Sequence, residues 1–292
     1  MKMSQVYRAM GTSKQAFHQW KDRTEHKTGI LINIDGMIHQ IRKEHPRLGV
    51  REIWRKMGVQ QIGRDAFERE AFARGHRLKR KRNFRKTTNS YGVTRFDNLI
   101  QGKKLTGLNQ VWVSDITYYS MGDRFYFLTF IMDLHSRKII GKSVSKGLSA
   151  EETTIPALKE AIRNTSKWRK GQRTIFHSDG GGQYYDKEFL KMTKKHNMDN
   201  SMCYSSYENP HAERVIGTLK NDYIYPYRPM TFEQLIKQTV RACLNYNNRD
   251  HSSLNRMSPN EFEKCCLGIK SPKFSTNPQS QHINNNDNVL NL

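Results

Sequence analysis

Two periodicities divide this chain. Up to about residue 76 the apolar residues recur every three or four positions, the spacing of amphipathic helices. Residues 3–20 predict two short helices around Gly11, with Ser13 capping the second; Ala16, Phe17 and Trp20 would face inward and Lys14, Gln15, His18 and Gln19 outward. A larger set follows. One helix over 34–44 is apolar at 34, 37, 38 and 41, a second covers 50–57, and a third over 63–74 buries Phe67, Ala71 and Phe72. Its exposed face would carry Arg64, Asp65, Glu68 and Arg69. Short paired helices that present polar side chains have the shape of helix-turn-helix units, and the plainer reading is a helical bundle with a solvated charged face.

From about residue 106 the period falls to two. In QVWVSDITYYS, Val111, Val113, Asp115 and Thr117 point to one side and Trp112, Ile116 and Tyr118 to the other. With a turn at 121–124, RFYFLTFIMDL and RKIIGKSV, this makes three antiparallel strands. Ser149 and Glu152 read as a capping box opening a helix through Ile162, with Leu148, Ile155, Leu158 and Ile162 apolar. TIFHSD then returns as a strand, parallel because a helix intervenes. A short amphipathic helix and a loop lead to the helical run HAERVIGTLKNDYI, where Glu213, Gly217 and Lys220 share a face. A helix over 231–248 has a Thr231–Gln234 capping box and apolar Phe232, Leu235, Ile236, Val240, Cys243 and Leu244; SPNE opens one more, with Pro259 at its first position. Both are expected to pack on the sheet, and the polar, Asn-rich tail from 273 reads as disordered.

Charge decides the partner class. Fifty Lys and Arg against 27 Asp and Glu leave a net charge of +23, the excess expected of a protein that meets a polyanion. Seven of residues 76–86, including Lys79, Arg80, Lys81 and Arg82, are Lys or Arg; beside helix-turn-helix units this run reads as an arm that tracks phosphates. No apolar run approaches a spanning helix and the amino terminus lacks a signal-peptide core, so the expectation is a bacterial cytoplasmic protein with no membrane role. The four cysteines, at 203, 243, 265 and 266, show no CxxC spacing and read as reduced. With none of them before 203, an amino-terminal His/Cys zinc module is not expected despite His18, His26, His39 and His45.

Three acids then stand out. Asp115 interrupts a strand, Asp179 ends one just before three glycines that let a ligand approach the backbone, and Glu213 lies on a helix. Alone, clustered carboxylates repel; together they suit divalent cations shared with phosphate oxygens. Asp133, near a hairpin end, is better read as bonding turn backbone.

The segments WVSDITYY, MDLHSRKIIG, HSDGGGQY, SYENPHAERVIGTLKNDYI and NRDHSSLNRMSPNEF resemble, in that order, the OrfB-type transposases of bacterial insertion sequences, relatives of the retroviral integrases. The resemblance implies an α/β chain whose RNase H-like mixed-sheet catalytic domain follows all-α helix-turn-helix domains. The boundaries are 1–25 and 30–76 for the helix-turn-helix units, 77–105 for a basic linker, 106–272 for the catalytic domain and 273–292 for the tail. It implies that Asp115, Asp179 and Glu213 are the catalytic triad holding two Mg2+ (or Mn2+) ions. Between the last two acids lie 33 residues, two fewer than in the family's commonest pattern, so Glu208 is a second candidate for the third acid. His177 and Gln183 would support Asp179 from behind, and Lys220 would contact the DNA end; the plain alternatives are a packed strand histidine and a solvated lysine. Lys14, Gln15, His18, Arg64, Arg69 and residues 79–82 would bind DNA. Expected partners are double-stranded DNA (element ends and target), further copies of the chain on that DNA, and an upstream-frame protein. The expected activity is metal-dependent phosphodiester cleavage and strand transfer; the alternatives are a non-catalytic DNA-binding regulator derived from such an enzyme, or a plain nuclease.

Overall fold

The computed structural model describes residues 3–58, 62–79, 95–203, 210–269 and 290–291. The chain divides into two compact units, Met1–Arg85 and Lys86–Leu292.

The first unit is all helical: α1 (Met3–Ala9), α2 (Lys14–Glu44), α3 (Val50–Met57) and α4 (Arg64–Ala73). Ser13 caps α2 as expected, accepting from Ala16 N–H at 3.1 Å. The expected break near residues 25–30 is absent, because α2 runs unbroken for 31 residues. Nothing between Trp20 and Ile34 stops a helix except Gly29, whose cost of about 1 kcal/mol its neighbours outweigh. Only the second half of α2 is covered: Ile34 and Ile38 pack with Leu48, Val50, Ile53, Ile62, Phe67 and Ala71. In the first half Phe17 meets Tyr7 at 5.4 Å, but Ala16 is exposed and Trp20 is 57% exposed, since seven-residue α1 is too short to cover them.

The second unit is built on a mixed five-stranded sheet of RNase H-like form. Strands β2 (Val111–Met121), β3 (Arg124–Asp133) and β4 (Ile139–Ser145) make the antiparallel meander read from the alternation. Helix α5 (Thr154–Arg169) leads to β5 (Thr174–Ser178), parallel to β2. Helix α6 (Lys187–Lys195) leads to β6 (Met198–Met202), parallel to β5, and the order is β4-β3-β2-β5-β6. Strand β6 replaces the expected loop: the polar sequence MDNSM lacks a strand's apolar signature, yet Met198, Ser201 and Met202 are buried at the sheet edge. The Ser149/Glu152 capping box does not form either. Glu152 accepts from Gly147 N–H at 2.8 Å, α5 begins only at Thr154, and Leu148 stays exposed.

Trp112, Ile131, Ile140 and Phe176 pack under α5 and α6 on one face of the sheet. On the other, Val111, Val113, Leu128 and Phe130 pack under α7 (Pro210–Thr218), the π-helical turn Leu219–Ile224 and α8 (Phe232–Asn247). Thr231 caps α8, but Gln234 Oε1 reaches Met230 N–H instead of closing the box. Of α8's apolar residues Leu235 and Cys243 are buried while Ile236, Val240 and Leu244 face outward. Helix α9 (Pro259–Cys266) opens with the complete Ser258–Glu261 box.

The expected linker is shorter than its boundaries. Ile100 and Leu105 lie in the core, Leu99 N–H donates to Ser201 Oγ at 2.9 Å, and Asp97 C=O accepts from Met202 N–H. Residues 80–94, most of the basic arm, lie outside the described residues. So does the tail from 273, except Leu290–Asn291, which pairs with β1 (Lys104–Leu105) and so departs from a wholly disordered tail.

Candidate active site

Strand register brings two acids together. The parallel pairing of β2 with β5 sets Val111 opposite Ile175, Trp112 opposite Phe176 and Val113 opposite His177. Continued two residues further, the same offset aims Asp115 of β2 at Asp179, the residue just past the end of β5, and the Asp179 carboxylate acts on Asp115 electrostatically. Both carboxylates fall on the α7 face, since Val113 and Ile175 of the same alternating sets lie in that core. Helix α7 packs on β2 and carries Glu213 in its first turn.

The electrostatics follow from burial. The Asp115 carboxyl is pushed up to about 7, first by burial, then by the Asp179 carboxylate and, more weakly, by Glu213; Ile116 N–H, donating to it at 2.8 Å, and Lys220 pull the other way. Burial also raises Asp179, opposed by a 3.2 Å bond from Gly181 N–H. Among the described residues no three Asp, Glu, His or Cys side chains stand close enough to hold one ion. The two aspartates form the fixed pair, and Glu213 is exposed on α7, within electrostatic reach of Asp115. Glu208 lies outside the described residues.

Two of the three glycines after Asp179 sit in tight space, while Gly182 has open space around it. A Cβ on Gly181 would stand 3.0 Å from both Asp179 Oδ1 and Gln183 Oε1, and one on Gly180 would stand 2.8 Å from the Met202 methyl. The Asp179 and Gln183 side-chain oxygens thus flank Gly181, and the Gln183 carbonyl accepts from Thr154 Oγ1 at 3.1 Å, tying the loop to α5. His177 is a buried strand residue whose Nδ1 meets Ser201 Oγ at 2.9 Å, a link between β5 and β6. Asp133 bonds turn backbone, accepting from Asn109 N–H and from Ser136 N–H and Oγ–H.

Lys220 is not a solvated lysine. It sits in the π-helical turn that continues α7, and its Nζ donates to Thr117 Oγ1 at 2.9 Å and to Tyr118 C=O at 2.7 Å, 5.0 Å from the Tyr118 ring. Burial lowers its pKa and Asp115 opposes that. Two of its three donors are therefore used on β2, two and three residues from Asp115.

Tyr184 was not singled out in the sequence. It is fully buried, its hydroxyl meets Ser114 Oγ at 2.9 Å, and the nearby Asp179 and Asp115 add to the burial that raises its pKa. Its signal is the aromatic pair closing GGGQYY. In the helical unit Lys14, Gln15, His18 and Arg69 are exposed, Arg64 pairs with Asp65 at 2.8 Å, and the Lys79 carbonyl accepts from Arg47. Arg80, Lys81 and Arg82 lie outside the described residues.

An integrase core domain family matches residues 106–206, and a second integrase core domain family matches 194–259. The chain is 28% identical over 276 residues to the insertion element IS600 31 kDa protein of Shigella sonnei, covering 90% of this chain and 97% of that protein. It is 31% identical over 198 residues to the InsF transposase of insertion sequence IS3A of Escherichia coli, covering 65% of this chain and 66% of that protein. The HTLV-2 integrase catalytic core in complex with magnesium overlays with a TM-score of 0.41 at 18% identity, over 54% of this chain and 97% of that one. A chain of the simian T-cell lymphotropic virus intasome overlays at 0.47 and 19%, over 67% of this chain and 65% of that one.

Proposed function

Because this chain belongs to the InsF-type insertion-sequence transposases with an integrase core, we propose that it cuts and rejoins DNA at its element's ends through Asp115, Asp179 and Glu213. The observation that carries the proposal is the strand register, which aims Asp115 of β2 at Asp179 just past the end of β5, on the face that α7 covers. Their donor set fits magnesium or manganese, hard cations that take carboxylate oxygens and share substrate phosphate oxygens. The raised pKa of Asp115 fits as well, since the pair repels until a cation neutralises it. When bound, such ions activate an attacking oxygen and stabilise the leaving one in phosphodiester displacement.

The chain's own residues prepare that step. Asp115 and Asp179 provide the fixed side of the cation site, and rotation of the Glu213 side chain closes it. The glycines at 180–182 leave room for a DNA backbone beside Asp179. Lys220, held by Thr117 and Tyr118, keeps one N–H for a phosphate oxygen near the reacting bond. The exposed Lys14, Gln15, His18 and Arg69 of the helical unit bind the element end, with the basic arm at 79–82 adding affinity through phosphates rather than sequence choice.

The test uses a labelled duplex carrying one terminus of the encoding element, with Mn2+ or Mg2+. Asp115→Asn and Asp179→Asn are each expected to abolish cleavage and joining while binding the duplex with little change. If both variants still join ends, the acid assignment fails. If the unsubstituted chain binds ends but never joins them, the chain is the non-catalytic regulator.

A further inference from the structure

The chain entering the second unit runs along the outer edge of β6, where Asp97 C=O accepts from Met202 N–H and Leu99 N–H donates to Ser201 Oγ. Between this segment, β6 and α6 lies a groove of about 1130 Å³. That exceeds the ~300–1,000 Å³ of a small-molecule site, so its size suits a polymer. Leu190 and Met198 give it an apolar floor, and Lys103, Lys104, Arg173 and Lys194 give it a basic rim. Asp199 is the one acid among its described lining residues, and Arg173 holds both of its oxygens, at 2.5 and 2.9 Å. The three lysines are exposed, and among the described residues no carboxylate pairs with them.

The two ends of the groove differ. The basic end lies where β5 and β6 begin: Lys194 is in the last turn of α6, and Gln110 in the wall accepts from Ile175 N–H at 2.9 Å. At the other end the Phe96 ring stacks on Tyr185 at 5.6 Å, with Arg95 4.6 Å from the centre of the Tyr185 ring. The Tyr185 hydroxyl donates to Met202 Sδ at 2.8 Å, and a Cβ on Gly180 would stand 2.8 Å from the methyl of that same methionine. The Phe96 end therefore opens beside the loop that carries Asp179.

Unpaired cations gathered on one rim attract a polyanion. We infer that this groove holds the DNA backbone where it runs out from the acids. The five residues of β6 span about 13 Å, and one DNA strand carries a charge every ~3.4 Å, so about four phosphates match its length. Lysines act on phosphates as point charges, so the groove adds affinity and no sequence choice. The inference rests on the DNA-joining reading for the identity of the polyanion.

The test measures binding of the full chain to the end duplex by fluorescence anisotropy over a range of salt concentrations, with hydroxyl-radical footprints of the same complexes. Each phosphate contact contributes about 0.9 to the slope of log affinity against log salt. Lys103→Gln and Lys194→Gln, both at exposed positions, are each expected to flatten the slope by about that amount and to uncover a stretch of about four nucleotides next to the cleaved bond. Lys237→Gln, exposed on α8, changes neither. Unchanged slopes in both groove variants overturn the inference, as does an equal flattening by Lys237→Gln or a footprint lost only away from the cleaved bond. Weakened binding of poly-glutamate with DNA binding intact would make the groove a site for an acidic protein and overturns it too. Metal-dependent joining by the unsubstituted chain and its loss in Asp115→Asn report separately on the underlying reading.

Discussion

Asp115 carries most of the site's tension. Its folded pKa of about 7 lies above the ordinary 3.8, so the folded state holds this proton more tightly than the unfolded one. Its contribution to stability is complete below about pH 4 and is lost as pH rises through about 7, with a maximum on the order of 2–4 kcal/mol. Asp115→Asn removes that dependence. The variant is expected to melt at the same temperature as the parent near pH 4 and several degrees higher at pH 8. A parallel loss of stability in both proteins between pH 5 and 8 contradicts the coupling. A cation acts in the same direction as the substitution: Mg2+ or Mn2+ at pH 8 is expected to raise the melting temperature of the parent and leave that of Asp115→Asn unmoved. Both aspartates were legible as residues, by their interruption of a strand and their place before three glycines. The shift of one to neutral pH was not, because it comes from burial and from a neighbour 64 positions away in the chain.

At the scale of elements, two glycines separate stability from chemistry. Gly141 of β4 faces α5, and a Cβ there would stand 2.3 Å from Ala157 C=O and 2.9 Å from Ala161 Cβ. Since backbone must move, Gly141→Ala is expected to destabilise the second unit by about 3 kcal/mol, read by thermal melting. Gly181→Ala meets the Asp179 and Gln183 side-chain oxygens at 3.0 Å and the Tyr184 ring at an ordinary 3.5 Å, with no backbone in the way. It is expected to leave the melting temperature within a degree or two and lower the joining rate roughly tenfold, because a displaced carboxylate misaligns the reacting groups. A large melting shift with full activity would show that Asp179 is not where the chemistry happens. Strong periodicity read most elements correctly: the β2–β4 meander, α3, α4, α8 and α9. Where the signal was local and tertiary packing competed, it misled. The Ser149/Glu152 spacing failed because Glu152 found Gly147, and β6 was missed because an edge strand can be polar where its neighbour supplies the pairing.

The whole chain is two compact units, Met1–Arg85 and Lys86–Leu292. The helical unit has its own core, from Ile34 to Ala71, and the sheet unit has one on each face of β2. A fragment of residues 1–85 is therefore expected to fold alone, with a cooperative helical melt by circular dichroism, and to bind DNA without cutting it. A non-cooperative melt would show that the two units fold as one. The excess of Lys and Arg gave the class of partner from composition alone, because a polyanion is met by net charge whatever the fold. Alternation also fixed which side of β2 faces which layer, because successive side chains of a strand must point oppositely. Sequence did not decide how far α2 runs or what Lys220 holds. Each of those depends on which distant segments arrive beside it, and only the folded chain sets those distances.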